Sequence, residues 1–165
     1  MSRIKKIVFA ALAAAALTGA AGAVHLDRPV QGSSGVSAGI RSSSAASEVV
    51  RLTNSARGQN GYAVLVEDGT LSEAAAVRAR EIARSFSHTR PSGASFSSAL
   101  SESGVSYLRA GENIASGQKS ASEVVNAWMN SPGHRANILN SSYSRIGSAS
   151  VNIDGTLYWV QLFAD

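Results

Sequence analysis

Three side chains carry the groups from which a metal or acid–base site could be built. His88 lies in the stretch FSHTRPSG, Glu112 in AGENIAS and His134 in SPGHRANIL. Two imidazoles and a carboxylate can ligate a divalent cation such as Zn²⁺, and a carboxylate beside a metal-bound water can act as a general base. Their wide spacing lacks the short interval of a zincin motif, so spacing alone does not establish a shared site. In the structural alternative, His88 caps a helix end and His134 packs beside Trp128.

The sequence contains no motif of a serine hydrolase and none of a nucleotide- or phosphate-binding site. Neither Ser87 nor Ser131 lies in a G-x-S-x-G elbow, and Ser131 is better placed as a helix cap. No glycine-rich turn joins a strand to a helix in the way that a dinucleotide or phosphate site requires. Arg90 and Arg135 stand near the histidines and are expected at the surface or behind the site, not as substrate clamps.

The place of each histidine in its predicted element indicates its charge. His134 falls in the first turn of a short helix, where the helix dipole disfavours the imidazolium. The neutral ring is the form that ligates a metal or accepts a proton. His88 follows the end of a helix, where the dipole favours the charged ring.

Apolar residues at three- and four-residue steps predict the helices that carry these side chains. One helix, Leu71–Ser85, begins behind a Thr70/Ser72 cap region, and its alanine-rich face suits close packing against a sheet or another helix. Another begins at Ser120, with Glu123 at the capping-box position, and runs to Asn130. The remaining predicted helices are one from Ala46 to about Gly58, a short one between Phe96 and Gly104, and one over Pro132–Leu139.

The last part of the chain has the pattern of a β-hairpin. Two strand-like runs, Ile146–Ile153 and Thr156–Phe163, flank Asp154 and Gly155, and an Asp-Gly pair between strands is typical of a type I′ turn. The second run is largely apolar on both of its faces. Such a strand requires helices on both sides of its sheet. The sequence therefore predicts an α+β fold, a three-layer α-β-α sandwich with a central antiparallel sheet.

The start of the chain has the pattern of a secretory signal peptide. Arg3, Lys5 and Lys6 precede an apolar run, and small residues follow it up to Ala23. We expect cleavage of residues 1–23, a flexible Ser/Gly-rich spacer over residues 24–46 and one folded domain over residues 47–165. The apolar run is much shorter than the roughly 20 residues of a membrane helix, and a retained anchor is the alternative. We expect a secreted protein with no transmembrane segment after cleavage.

Charge and cysteine content narrow the functional classes. Three of the 15 lysines and arginines lie in residues 1–23, which contain no acidic residue. The net charge of +4 therefore falls to about +1 in the mature chain, without basic clusters, and nucleic acid is not expected as a partner. The chain has no cysteine. An exported domain must then be stabilised by its core alone, which suits a bacterial secreted protein.

Several motifs in fixed order carry a family resemblance. The stretches FSHTRPSG, AGENIA, WMNSPGHRANIL, IG and YWVQLF closely resemble the CAP superfamily of cysteine-rich secretory proteins, antigen 5 and pathogenesis-related 1 proteins. The likeness covers about Val49–Asp165 and is to the disulfide-free bacterial, SCP-like branch. It implies an α-β-α sandwich with an open cleft, in which two histidines and two acidic residues can hold a divalent cation such as zinc.

Carried over to this chain, the resemblance makes His88, Glu112 and His134 the candidate metal ligands. The Ile-Gly pair of the family is present at Gly147, which supports the match at His134. At the fourth position, three residues after the helix tryptophan, Ser131 replaces the glutamate of members with the full set. A water or a rearranged side chain would have to complete a tetrahedral site, so we expect weaker, pH-dependent binding of zinc or another divalent cation.

Three functions remain open at this point, and enzymatic activity is not indicated by any nucleophile motif. The favoured function is a secreted binding protein whose His/Glu/His cleft holds a divalent metal with a small molecule, a lipid or a cell-envelope component. The first alternative is a zinc-dependent extracellular hydrolase of the peptidase type, with Glu112 as base. The second is a lipid- or sterol-binding module in which His88, Glu112 and His134 form a structural cluster. No organic cofactor is indicated.

Overall fold

The computed structural model describes residues 34–165, with side chains from Ala45 onward. The predicted signal peptide and the first part of the predicted spacer lie outside the described residues. The helices are α1 (Ser34–Gln59), α2 (Gly69–Arg84), α3 (Ser97–Glu102), α4 (Ala121–Met129) and α5 (Pro132–Ile138), and the strands are β1 (Val66–Glu67), β2 (Ala110–Ser116), β3 (Arg145–Ile153) and β4 (Thr156–Ala164). Within the described part of the chain, no helix has the length and apolar character needed to cross a membrane.

Helix α1 begins earlier than the sequence predicts. It starts at Ser34, so residues 34–46 of the predicted spacer are helical and continue into the helix expected from Ala46. Once a helix is nucleated, each further residue that is ordered adds one backbone hydrogen bond, which allows a helix to extend through residues of modest propensity. The apolar residues that predict this helix, Val49 and Val50, are buried.

Side-chain caps determine where α2 and α4 begin. Asp68, and not the predicted Thr70 or Ser72, is the N-cap of α2, and its carboxylate accepts hydrogen bonds from two backbone N–H groups of the first turn. A charged acceptor also interacts favourably with the positive end of the helix dipole, which explains the difference. In α4, Ser120 Oγ accepts from the backbone N–H of Glu123 at 3.2 Å, as the capping-box pattern predicts.

The four strands form one sheet in the order β1-β3-β4-β2. β3 and β4 form the predicted antiparallel hairpin, and its turn residues Asp154 (φ 51°) and Gly155 (φ 79°) have the positive φ values of a type I′ turn. β2 pairs antiparallel with the other edge of β4. The two-residue strand β1 adds a parallel edge to β3, so the sheet is mixed and its three long strands are antiparallel.

Alternation along β4 separates two hydrophobic cores on opposite faces of the sheet. Trp159 and Phe163 belong to one core, shared with α1, α4 and α5, which we call the α1-side core. Val160 and Leu162 belong to the other, shared with α2 and α3, which we call the α2-side core. Helices therefore cover both faces, and the α+β architecture predicted from the two apolar faces of this strand is confirmed.

Candidate functional site

His88 and Glu112 meet directly in the folded chain. Glu112 lies on β2 opposite Leu162 of β4, and its side chain has no exposed surface. His88 lies in the loop after α2, with 55% of its side chain exposed. Its Nδ1 is 2.7 Å from Glu112 Oε2. The fold thus places an accessible imidazole on a buried carboxylate.

Arg78 holds the same carboxylate from inside the protein. Its Nε donates to Glu112 Oε1 at 2.7 Å, and one terminal nitrogen donates to Oε2 at 3.3 Å. That terminal nitrogen also donates to the backbone carbonyl of Ser87 at 2.7 Å. The Arg78 side chain is completely buried. Both oxygens of Glu112 are therefore engaged by groups of the protein itself.

Arg78 contacts the Glu112 carboxylate but lies in none of the motifs, although the helix pattern contains a signal for it. It lies one helical turn after Ala74 and one turn before Ile82, on the buried face of α2. A charged side chain on an apolar helix face needs a buried partner, because an unpaired buried charge is costly. Helical spacing cannot identify that partner, since Glu112 is 34 residues away.

A second arginine ties the loop after α2 to the neighbouring helices. Arg90 donates to the Glu81 carboxylate over 2.8–3.1 Å, and to Ser98 and Glu102 at 2.7 Å each. Glu81 also accepts from Arg78 at 2.6 Å. Arg90 thus ties the loop to α2 and α3.

His134 lies in the first turn of α5 and is half-buried. Burial lowers its pKa below the ordinary value of 6.5, and the charge of nearby His88 lowers this pKa further. This direction favours the neutral ring, as does the position of His134 at a helix start. Its backbone carbonyl accepts a hydrogen bond from Asn113 Nδ2 at 3.1 Å. The structure thus places a second imidazole within electrostatic reach of the first.

Buried amide side chains anchor the start of α5 to the sheet. Asn113 of β2 donates to Gln161 Oε1 of β4 at 3.2 Å and accepts from Asn137 of α5 at 2.9 Å. Gln161 in turn donates to Thr53 Oγ1 of α1 at 2.5 Å. These bonds satisfy polar groups in the α1-side half of the molecule and connect two strands to two helices.

His88 and His134 are the two imidazoles that the described part of the chain offers to a cation. Within the described residues, no three His, Cys, Asp or Glu side chains have the arrangement of a metal centre. Ser131, where family members with the full set have glutamate, is the N-cap residue of α5 and makes no side-chain cap hydrogen bond. A carboxylate that accepts the Nδ1 proton of a histidine and leaves Nε2 for the metal is a common supporting arrangement. Glu112 has this relation to His88, because its Oε2 lies 2.7 Å from Nδ1, so the chemistry of His88 fits that of a supported metal ligand.

A separate groove lies between α1 and α4. Its volume is about 290 Å³, and neither His88, Glu112 nor His134 lines it. The lining combines apolar and small polar side chains: Leu52, Ser55, Ala56, Gln59, Asn60, Ser122, Val125, Asn126 and Met129. This concave surface is therefore separate from the histidines.

Sequence comparison supports the resemblance carried by the motifs. The model of the cysteine-rich secretory protein family, CAP, matches residues 50–163. The uncharacterised protein YkwD of Bacillus subtilis is 43% identical over 118 residues, which cover 70% of this chain and 45% of YkwD. The chain therefore spans less than half the length of that relative.

Solved structures share the fold. An extracellular protein containing an SCP domain from Bacillus anthracis has a TM-score of 0.72 at 24% identity, over 84% of this chain and 45% of that chain. An outer surface protein from Borrelia burgdorferi has a TM-score of 0.66 at 27% identity, over 71% of this chain and 89% of that chain. Because the family model matches residues 50–163, which are most of this chain, and the fold is shared, the chain belongs to the cysteine-rich secretory protein (CAP) family.

Proposed function

We propose that this chain is a secreted CAP-domain binding protein whose cleft takes a divalent cation such as Zn²⁺ on His88 and His134, together with a small or envelope-derived ligand. The observation that carries the proposal is the bonding of Glu112, whose buried carboxylate accepts from Arg78 and His88 on its two oxygens. Two structural relatives are an extracellular protein and an outer surface protein, which supports secretion.

In this arrangement Glu112 orients a metal ligand and does not bind the metal. An ionised carboxylate only accepts hydrogen bonds, so His88 donates through Nδ1, and the lone pair of Nε2 points away from Glu112. His134, whose pKa is lowered by burial and by His88, adds a second imidazole. A bound Zn²⁺ would supply a positive charge that attracts an anionic or polar group of the ligand. Two protein ligands, against four in a structural zinc site, predict weak binding.

The same contacts favour binding over hydrolysis. A general base must reach the water that it deprotonates, directly at about 3 Å or through one further water. The Glu112 side chain has no exposed surface, and each oxygen already accepts a hydrogen bond. A hydrolase that used Glu112 as base would first have to break a contact to Arg78 or His88.

The groove between α1 and α4 supports a second candidate function, the binding of an acyl chain. Its lining includes Leu52, Val125 and Met129, which offer apolar contacts to an acyl chain, with polar side chains around them. In this case the histidine cluster has only a structural role. Binding of a fluorescent fatty acid that Ser55→Phe blocks and His134→Ala leaves unchanged would favour this function.

Calorimetric titration of Zn²⁺ into the metal-free mature chain tests the primary proposal. Wild type should bind one Zn²⁺, and His134→Ala should lose that binding because one imidazole cannot hold the ion. The matched control is His25→Ala, a histidine outside the described residues, which should bind as wild type does. Absence of binding by wild type would contradict the metal site. Zinc-dependent cleavage of a peptide or ester that Glu112→Gln abolishes would contradict the non-enzymatic role.

A further inference from the structure

We propose that Arg78 is the positioning residue of the histidine site: it fixes the ring of His88 with Nδ1 toward Glu112 and Nε2 toward a ligand. The inference deepens the proposed function and rests on His88 being the residue that meets the ligand. Arg78 has no exposed side-chain surface. It therefore acts through Glu112 and the backbone and does not touch a ligand itself.

The contacts of Arg78 reach His88 by two routes. In the first, Glu112 accepts from Arg78 at 2.7 and 3.3 Å, and its Oε2 lies 2.7 Å from His88 Nδ1. In the second, Arg78 donates to the carbonyl of Ser87 at 2.7 Å, one residue before His88. The first route orients the ring, and the second holds the backbone from which the ring projects.

Arg78 supplies the charge that lets a buried carboxylate serve as the acceptor. An ionised carboxylate without exposed surface is costly unless a cation lies beside it. The guanidinium of Arg78 is fully buried against Glu112, whereas the His88 side chain is 55% exposed. Because the ionised carboxylate accepts only, the neutral ring of His88 must carry its proton on Nδ1. Nε2, on the other edge of the ring, is then left as the acceptor nitrogen.

The geometry requires a guanidinium and not merely a positive charge. The Nε of Arg78 donates to Glu112, and one terminal nitrogen donates to both Glu112 and the Ser87 carbonyl. The other terminal nitrogen donates to Glu81 at 2.6 Å. A lysine ammonium is a compact charge without this fixed fork, so it cannot hold three partners in these directions. Arg78→Lys therefore keeps the charge and removes the positioning.

Arg90 provides a matched control within the same cluster. It bonds to the Glu81 carboxylate, as Arg78 does, and it also anchors the loop that carries His88 through Ser98 and Glu102. Its hydrogen bonds reach neither Glu112 nor the Ser87 carbonyl. Arg90→Lys therefore tests whether any effect comes from general anchoring of the loop.

The experiment combines ¹⁵N NMR of the His88 imidazole in the metal-free mature chain with calorimetric titration of Zn²⁺. At a pH high enough for the His88 imidazole to be neutral, the ring of wild type should carry its proton on Nδ1. Arg78→Lys should shift the ring toward the Nε2-protonated form that free histidine prefers, and should bind Zn²⁺ about 10- to 100-fold more weakly, as is usual when a group that supports a metal ligand is lost. Arg90→Lys should keep the wild-type ring form and bind within about 3-fold of wild type.

Three results would overturn the inference. These are a wild-type His88 ring protonated on Nε2, an Arg78→Lys variant with wild-type ring form and affinity, and equal effects in Arg78→Lys and Arg90→Lys. The first needs no variant, so the inference stays falsifiable even where Arg78→Lys fails to fold. If wild type binds no Zn²⁺, the metal site fails, while the ring form of His88 in wild type and the variants still decides the role of Arg78.

Discussion

At the scale of single residues, charges of alternating sign run from the surface to the buried carboxylate of the site. Glu102, Arg90, Glu81, Arg78 and Glu112 are joined in this order by ion pairs of 2.6–2.8 Å. The outer member, Glu102, has 64% of its side chain exposed, and the inner pair has none. Exposed pairs contribute little to stability, whereas loss of one partner of a buried pair is strongly destabilising. The inner members should therefore dominate the energetics of this series.

Glu81 gives this series a pH dependence with a defined sign. Burial alone would raise the pKa of Glu81, but hydrogen bonds from Arg90 and Arg78 lower it below the ordinary 4.5. Its contribution to stability is therefore present above about pH 4.5 and is lost as the pH falls through the lowered pKa. In urea unfolding at pH 7, Glu81→Gln should lower the free energy of unfolding by about 2 kcal/mol. The difference in this free energy between the variant and wild type should shrink near pH 3. Glu73→Gln, exposed on the same helix, is the control. If the free energies of unfolding of Glu81→Gln and wild type differed equally at both pH values, the stabilising role of the ionised Glu81 carboxylate would be contradicted.

At the scale of elements, the start of α2 is held tightly against β3. Asp68 caps α2 and also accepts from Arg145 of β3 at 3.0 Å. At Gly147 of β3, an added Cβ would lie 2.2 Å from the backbone carbonyl carbon of Leu71, so only glycine allows this approach. The Ile-Gly pair that contributes to the family resemblance therefore has a packing role, because it lets the first turn of α2 rest on the sheet.

Gly147→Ala should be destabilising because the obstacle is helix backbone and cannot move aside as a flexible side chain could. We expect a loss of about 2–3 kcal/mol, measured by thermal or urea unfolding. Gly58→Ala in α1, where an added Cβ has nothing within 4 Å, is the matched control and should be neutral or slightly stabilising. Equal stabilities of the two variants would contradict the close approach.

At the scale of the whole described molecule, one strand contributes to both cores. β4 places Trp159 and Phe163 in the α1-side core and Leu162 in the α2-side core. The two tryptophans of the chain, Trp128 and Trp159, both lie in the α1-side core. Their fluorescence therefore reports directly on one face of the sheet. A perturbation on the other face can reach them only if the two cores unfold together.

Leu162→Ala tests this coupling from the face without tryptophan. The side chain is fully buried, so its truncation should cost about 2–5 kcal/mol. Because β4 cannot lose one face and keep the other, tryptophan fluorescence and far-UV circular dichroism should show the same lowered midpoint in urea. Leu157→Ala, partly buried beside the α1-side core, should have a smaller effect on both signals. Separate transitions for the two signals in Leu162→Ala would contradict a single cooperative unit.

The sequence alone determines the features whose signals lie within a few residues of one another. The Asp154–Gly155 turn, the Ser120 cap and the periodicity of α2 are local, and the structure confirms them. The alternation along β4 predicts a covered sheet, because successive side chains of a strand point to opposite faces. The order of the motifs also predicts the CAP family. The resemblance makes His88, Glu112 and His134 the candidate site residues.

Only the tertiary structure decides how those residues are used. Glu112 is separated from His88 by 24 positions and from Arg78 by 34, so no local pattern encodes their contacts. Folding buries the carboxylate, brings a guanidinium to it, and leaves an imidazole at the surface, because these distances depend on how α2 packs on the sheet. The helical extension of α1 to Ser34 and the parallel strand β1 also lack a sequence signal, since each depends on neighbours already in place.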